Sequence, residues 1–168
     1  MDMCVSKLPV LADKIMTLEQ AVEWRKGLKR NNIKLAVTNG CFDLLHRGHV
    51  DYLDKARRTA DALLVLVNSD ASVRALKGPT RPVNDEYARC FVLAGLAAVD
   101  AVVVFDNQRC TGELSAIAPD VYAKGGDYTV ETLDPGERAA LQACGSAFEF
   151  IPFVDGFSTT NTIKKMQN

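Results

Sequence analysis

The stretch Thr38-Asn39-Gly40-Cys41-Phe42-Asp43-Leu44-Leu45-His46-Arg47-Gly48-His49 constrains this chain more than any other. It follows a short strand-like run at residues 33–37. It leads into residues 50–60, where Val50, Leu53, Ala56 and Ala60 fall near one helical face. Strand, glycine-containing turn and helix, in that order, set the open amides of a helix N-terminus beside a strand end, where the helix dipole favours an anion. The chain has 2 histidines, and both lie here, at positions 46 and 49. Near neutral pH imidazole is a hydrogen-bond donor in either protonation state, so two at a helix mouth can hold phosphoryl oxygens without burying two ammonium groups. The arrangement points to phosphate handling.

Around this centre, strand and helix signals alternate. Thr17, with Gln20 three positions on, forms a capping-box pattern that opens a helix running to about Arg30, where Asn31-Asn32 ends it. The run at residues 61–68 is continuously apolar from Ala62 to Val67, as expected of a parallel strand covered on both faces, and ends in polar Asn68-Ser69-Asp70 at the edge where α/β sheets bind ligands. Arg74, Lys77 and Arg81, among Gly78, Pro79 and Pro82, then give a mobile-looking basic segment up to Asn84. Asn84 is expected to cap the next helix, whose buried side would carry Phe91, Val92, Leu93, Leu96 and Val99. A third strand at 101–105, a helix at 108–118 stopped by Pro119, a short strand at 120–123, a helix at 132–143 and a fifth strand at 147–152 complete the alternation.

Two further stretches bear on chemistry. Lys124-Gly125-Gly126-Asp127 closes the fourth strand, which suits backbone brought close to a ligand and equally suits a plain turn. Ser158-Thr159-Thr160 offers more hydroxyls at a helix start than a cap requires, which favours a second phosphate-binding terminus. Residues 1–16 show no period and read as an irregular lead-in, leaving 17–168 as a single domain. The fold class expected is α/β: a Rossmann-like, doubly wound, five-stranded parallel sheet with helices on both faces.

Composition narrows the function. A formal net charge of -1 gives no basic surface for nucleic acid. No apolar run nears the roughly 18 residues of a membrane span, and the start of the chain has no leader-like pattern, so a cytoplasmic, non-membrane protein is expected. Five cysteines without a Cys-x-x-Cys pair suit reduced thiols, and Cys41 with His46 and His49 lacks the second thiol a zinc site wants. Neither Gly-x-x-x-x-Gly-Lys-Ser/Thr nor Gly-x-Gly-x-x-Gly occurs, which removes the usual signatures of Walker-type phosphoryl transfer and of dinucleotide binding.

Gly-Cys-Phe-Asp-Leu-Leu-His-Arg-Gly-His resembles the signature of the cytidylyltransferase-like nucleotidyltransferases, which move a nucleoside monophosphate from a triphosphate to a phosphorylated small molecule. Within that family, Val-Asn-Ser-Asp-Ala-Ser-Val, Leu-Lys-Gly-Pro-Thr-Arg-Pro-Val-Asn, Lys-Gly-Gly-Asp-Tyr and Gly-Phe-Ser-Thr-Thr-Asn are similar to the branch that makes ADP-activated heptose. Phe153 stands where glycerol-phosphate cytidylyltransferases carry an arginine. The resemblance implies strand order 3-2-1-4-5 and AMP transfer from ATP to D-glycero-D-manno-heptose 1-phosphate in lipopolysaccharide precursor synthesis. It also implies Mg²⁺ accompanying ATP, and a homodimer.

It further implies roles for individual residues. His46, His49 and Lys77 would be catalytic, with Ser158, Thr159 and Thr160 on the β- and γ-phosphates. Asn39, Gly40, Cys41, Phe42, Asp43, Gly48, Gly126 and Asp127 would shape the nucleotide site, Asp43 orienting either a histidine or the ribose. Asp70, Arg81, Arg89 and Lys124 are candidates for the acceptor. The alternatives are a cytidylyltransferase acting on an alcohol phosphate and a nucleotide-sensing module without turnover.

Overall fold

All seven residues of Ala62–Asn68 are buried, and their alternation assigns them to two cores. Leu63, Val65 and Val67 pack with Tyr52, Leu53, Ala56, Cys90 and Leu93, while Ala62, Leu64 and Leu66 pack with Ala21, Leu114, Ile117 and Leu141. Period-two side chains on a central strand thus feed both layers. The computed structural model describes residues 10–152 together with Thr159 and Ile163.

The strands are β1 (Ile15–Met16), β2 (Leu35–Gly40), β3 (Ala62–Asn68), β4 (Ala101–Phe105), β5 (Val121–Gly125) and β6 (Ala147–Ile151). The helices are α1 (Leu18–Arg30), α2 (Arg47–Arg57), α3 (Asp70–Lys77), α4 (Glu86–Ala94), α5 (Thr111–Ile117) and α6 (Pro135–Cys144). Every strand pairing is parallel. Helices α2 and α4 contribute to one core and α1, α5 and α6 to the other, so the sheet is wound on both faces.

The sheet has six strands in order β1-β4-β3-β2-β5-β6, which corrects the expected five-stranded sheet. The extra strand is β1, two residues paired to Val102 and Val103 at the outer edge of β4. Leu11–Lys14 before it forms a 3₁₀ turn. Residues 11–16 are therefore part of the domain, although so short a run carries no period of its own. Lys14 fastens it by donating from Nζ to the Val99 carbonyl at 2.8 Å.

Local signals fixed some boundaries closely. Thr17 caps α1 with a reciprocal Gln20 capping box, whereas α6, expected from 132, opens at Pro135 behind Asp134, whose side chain accepts from the Gly136 and Glu137 amides. Other boundaries moved. Helix α2 starts at Arg47, so the last three residues of the signature lie in its first turn. The basic segment is helical over Asp70–Lys77, because Ser69 caps it by accepting from the Ser72 amide and Gly78, at φ 96°, ends it. Asp85 rather than Asn84 caps α4, and packing on the sheet turns a different face inward than expected. Arg89, Cys90, Leu93 and Ala94 face inward, and Phe91 and Val92, expected in the core, are 41% and 53% exposed.

Candidate active site

The sheet parts beside the signature. Strand β2 stays in register with β3 from Leu35 to Gly40. With β5 it pairs only at Ala36 with Val121 and Val37 with Tyr122. Beyond that point the carboxyl ends of β2 and β5 diverge at the place where successive crossovers reverse direction, the position at which open α/β sheets form a ligand crevice. Tyr52, from α2, spans the gap: its hydroxyl meets Thr38 Oγ1 and donates to the Ala123 carbonyl at 3.0 Å. Burial pushes this phenol up to about 12.

Above the gap lies a cavity of about 380 Å³ lined by Asn39, Gly40, Cys41, Phe42, His49, Lys77 and Lys124 among the expected residues. Asn39 Oδ1 accepts from Lys124 Nζ at 2.7 Å and from Tyr122 at 2.8 Å. This pair joins the divergent strand ends by side chains where backbone pairing has stopped. Burial lowers the pKa of Lys124, a cost that a bound anion would offset. Gly40 is needed for close packing: a Cβ there would stand 2.9 Å from the Phe42 ring. Phe42 itself is held at φ 45°, a conformation that is rare for a bulky residue and collects at functional turns.

His46 is the N-cap of α2, with extended backbone (φ −141°, ψ 170°). Its carbonyl accepts from the His49 amide at 2.9 Å. The two imidazoles stack with centroids 3.8 Å apart and an interplanar angle of 21°, and Phe42 meets His49 edge-on at 5.3 Å. Burial, then the neighbouring His46 and the Lys77 charge, lowers His49 to about 4, against the pull of the Leu44 carbonyl. Burial also lowers His46. Both rings are therefore neutral near pH 7. Gly48 sits in the first turn of α2, where amides lack intrahelical acceptors, and Lys77, at the last residue of α3, places an exposed ammonium on the opposite wall.

Other candidates brace the site without lining this cavity. Asp43 is buried, ion-paired with Arg81, and accepts from the Val83 amide at 2.8 Å and the Asn84 amide at 3.2 Å. Burial works against its ionisation, but Arg81 and those amides outweigh it and hold the carboxyl below its ordinary range. Its oxygens are thus committed to the α3–α4 connection, which corrects the expectation that it orients a histidine or the ribose. Arg89, fully enclosed, donates to the Cys41 carbonyl at 2.6 Å, to Asp70 Oδ1 at 2.8 Å and to the Asn84 carbonyl at 3.1 Å. Asp70, Arg81 and Arg89 therefore clamp the signature loop onto α3, α4 and the connection between them.

The Gly125-Gly126 turn divides. Gly125 lines the cavity. Gly126, at φ 111°, donates its amide to the Ile151 carbonyl at 2.9 Å, and Asp127 is exposed. Thr159 Oγ1 donates to the Leu44 carbonyl at 3.4 Å, which places this one hydroxyl against the signature loop. Ser158, Thr160 and Phe153 lie outside the described residues. Asn68, expected at the ligand-binding edge, lines the cavity, and so do Tyr52, Gln108, Arg109 and Tyr128, which sequence reasoning missed. Gln108 and Arg109 follow β4 at the ligand-binding edge, a position that would have marked them had residues 108–110 not been assigned to a helix that starts at Thr111.

Among the described residues no group of three or more His, Cys, Asp or Glu side chains is placed to hold a metal ion, and no carboxylate lines the cavity. The donor set suits anions and offers Mg²⁺ no protein ligand of the usual kind. No helix among the described residues is long and apolar enough to cross a membrane.

Comparison with known proteins agrees with this geometry. The chain is 46% identical over 158 residues to the bifunctional protein HldE of Koribacter versatilis, covering 94% of this chain and 32% of that protein. It is 45% identical to the bifunctional protein HldE of Haemophilus ducreyi, covering 91% and 32%. The chain thus spans about a third of the length of these curated relatives. Among solved structures, a lipopolysaccharide core biosynthesis protein from Thermoplasma volcanium superposes with TM-score 0.58 at 24% identity, covering 73% of this chain and 97% of that one. A pantoate-beta-alanine ligase from Francisella tularensis gives TM-score 0.58 at 14% identity, covering 89% and 72%. Both show a shared fold. The cytidylyltransferase-like family matches residues 37–164, from inside β2 through the hydroxyl-rich tail, and the chain belongs to that family of nucleotidyltransferases.

Proposed function

We propose that the protein is an adenylyltransferase that moves AMP from ATP to D-glycero-D-manno-heptose 1-phosphate, giving ADP-heptose and pyrophosphate for lipopolysaccharide precursor synthesis in the cytoplasm. The observation that carries this reading is His49 lining a cavity without carboxylates together with Lys77 and Lys124, while His46, which does not line it, stacks on His49 at the mouth of α2 and both rings are neutral. The relatives named HldE support the choice of sugar.

In the proposed reaction an oxygen of the acceptor phosphate attacks the α-phosphorus of ATP. The bond from that phosphorus to the α,β-bridging oxygen breaks, and the electron pair leaves with pyrophosphate. The attacking phosphate is already ionised at pH 7, so the protein need supply no general base. Its task is positioning and charge neutralisation. His49 and His46 each donate a hydrogen bond toward the transferring phosphate and its bridging oxygen. Lys77 neutralises the leaving charge, and the first-turn amides of α2 with Thr159 complete the cradle. Mg²⁺ belongs to this proposal as a counter-ion carried by the triphosphate.

The test is pyrophosphate release with ATP or CTP against D-glycero-D-manno-heptose 1-phosphate and glycerol 3-phosphate. Turnover with ATP and the heptose supports the reading. Preference for CTP and glycerol 3-phosphate replaces it with cytidylyl transfer, and nucleotide binding without turnover replaces it with a sensor. A homodimer is also proposed, with exposed Tyr87, Phe91 and Val92 on one face of α4 as the contact; light scattering at twice the chain mass is the expected result.

A further inference from the structure

A second cavity, of about 350 Å³, adjoins the first and shares Arg109, Lys124 and Tyr128 with it as a common wall. Its remaining polar lining has a different character: Thr132, Asp134 and Glu137, from the start of α6 and the turn before it. Glu137 is 2% exposed, and its hydrogen bonds to Cys110, at 3.1 Å from the amide and 3.4 Å from the thiol, both fall on Oε1. Asp134 Oδ1 caps α6, and its Oδ2 is 3.3 Å from Arg109 Nε. The paired cavities thus run from cations at the shared wall to carboxylates and a hydroxyl at the far end.

Resting on the reading above, we infer that this annex is the acceptor subsite, with Lys124 and Arg109 holding the sugar phosphate at the shared wall and Glu137, Asp134 and Thr132 reading the hydroxyls of the sugar body. The polarity dictates the orientation. The phosphate must reach the α-phosphorus in the first cavity, so it lies at the cationic border, and carboxylates repel a triphosphate but accept hydrogen bonds from a polyol. Tyr128, also on the border, offers an aromatic face to the sugar.

The experiment compares the wild type with Glu137→Gln, Asp134→Asn and Thr132→Val. The Michaelis constant for D-glycero-D-manno-heptose 1-phosphate is measured at saturating ATP, and the ATP dissociation constant by calorimetry. Asp134→Asn keeps a capping acceptor, and Thr132 is exposed, so these variants remain folded if Glu137→Gln does not; circular dichroism checks each. The expected result is a rise of about tenfold or more in the acceptor constant, the scale of one lost hydrogen bond, with ATP affinity within about twofold of wild type. Unchanged acceptor constants in folded variants, or ATP affinity falling in step, would overturn the assignment. Failure of the wild type to release pyrophosphate with any sugar phosphate would instead remove the enzymatic reading on which the subsite rests, and the subsite with it.

Discussion

The two flanks of β2 are built for opposite purposes. Toward β3 the backbone pairs along the whole strand, and behind it Arg89 and Asp43 bind the Cys41 carbonyl, Arg81 and the Val83 and Asn84 amides in a buried polar network. Toward β5 the pairing stops after two residues, and the Tyr52 hydroxyl and the contacts of Asn39 with Tyr122 and Lys124 bridge the strands. One flank fixes the loop that must not move. The other leaves the space where a nucleotide can enter. A parallel sheet opens of its own accord at its switch point, so the cavity costs few backbone hydrogen bonds, and the energetic burden falls on the buried ions that hold the closed flank.

The comparison breaks most visibly on the closed flank. Arg89→Ala strands Asp70 and the Cys41 and Asn84 carbonyls, and is expected to lower the unfolding free energy by about 3 kcal/mol or more in urea titration. His46→Ala and His49→Ala, on the open side, should leave the melting temperature nearly unchanged while turnover falls by about 10²-fold, the scale of losing a preorganised donor, as read by pyrophosphate release. Near-normal turnover in both would remove the imidazoles from the mechanism. Tyr52→Phe removes the hydroxyl between the divergent strands and is expected to cost about 1–2 kcal/mol, with ATP affinity falling as the gap relaxes, measured by denaturation and calorimetry.

The smallest effect sharpens the electrostatic side of the contrast. His49 titrates near 4 in the folded chain and near its ordinary 6.5 when unfolded, so between those values the unfolded state binds the extra proton. Stability is then full above pH 6.5 and declines as pH falls toward 4. His49→Asn should flatten the slope of unfolding free energy against pH in that window. An unchanged slope would mean that the imidazole is not desolvated as described.

Much of this was legible beforehand because it rests on local chemistry. The Thr17 capping box, the apolar run of β3 and the placement of both histidines at a strand-to-helix turn follow from neighbouring residues alone. What escaped depended on partners distant in sequence. The two residues of β1 become a strand only because Val102 and Val103 accept them. The basic run after Asp70 looked like a loop because its glycine and prolines come after the helix they end. Asp43 reads as a site residue by its neighbours in the signature, but the chain folds Arg81 onto it. Arg109 went unnoticed inside an overextended helix assignment.

The sequence by itself determined that the chain alternates strand and helix, where a helix mouth would meet phosphate, and which family it joins, since periodicity, caps and a dense signature are properties of adjacent residues. Only the tertiary structure decided which of the charged residues face the cavity and which clamp it from behind. An arginine or aspartate has the same intrinsic chemistry in either place. Whether it meets a buried carbonyl, an opposite charge or an open crevice is settled by packing between segments that lie tens of residues apart.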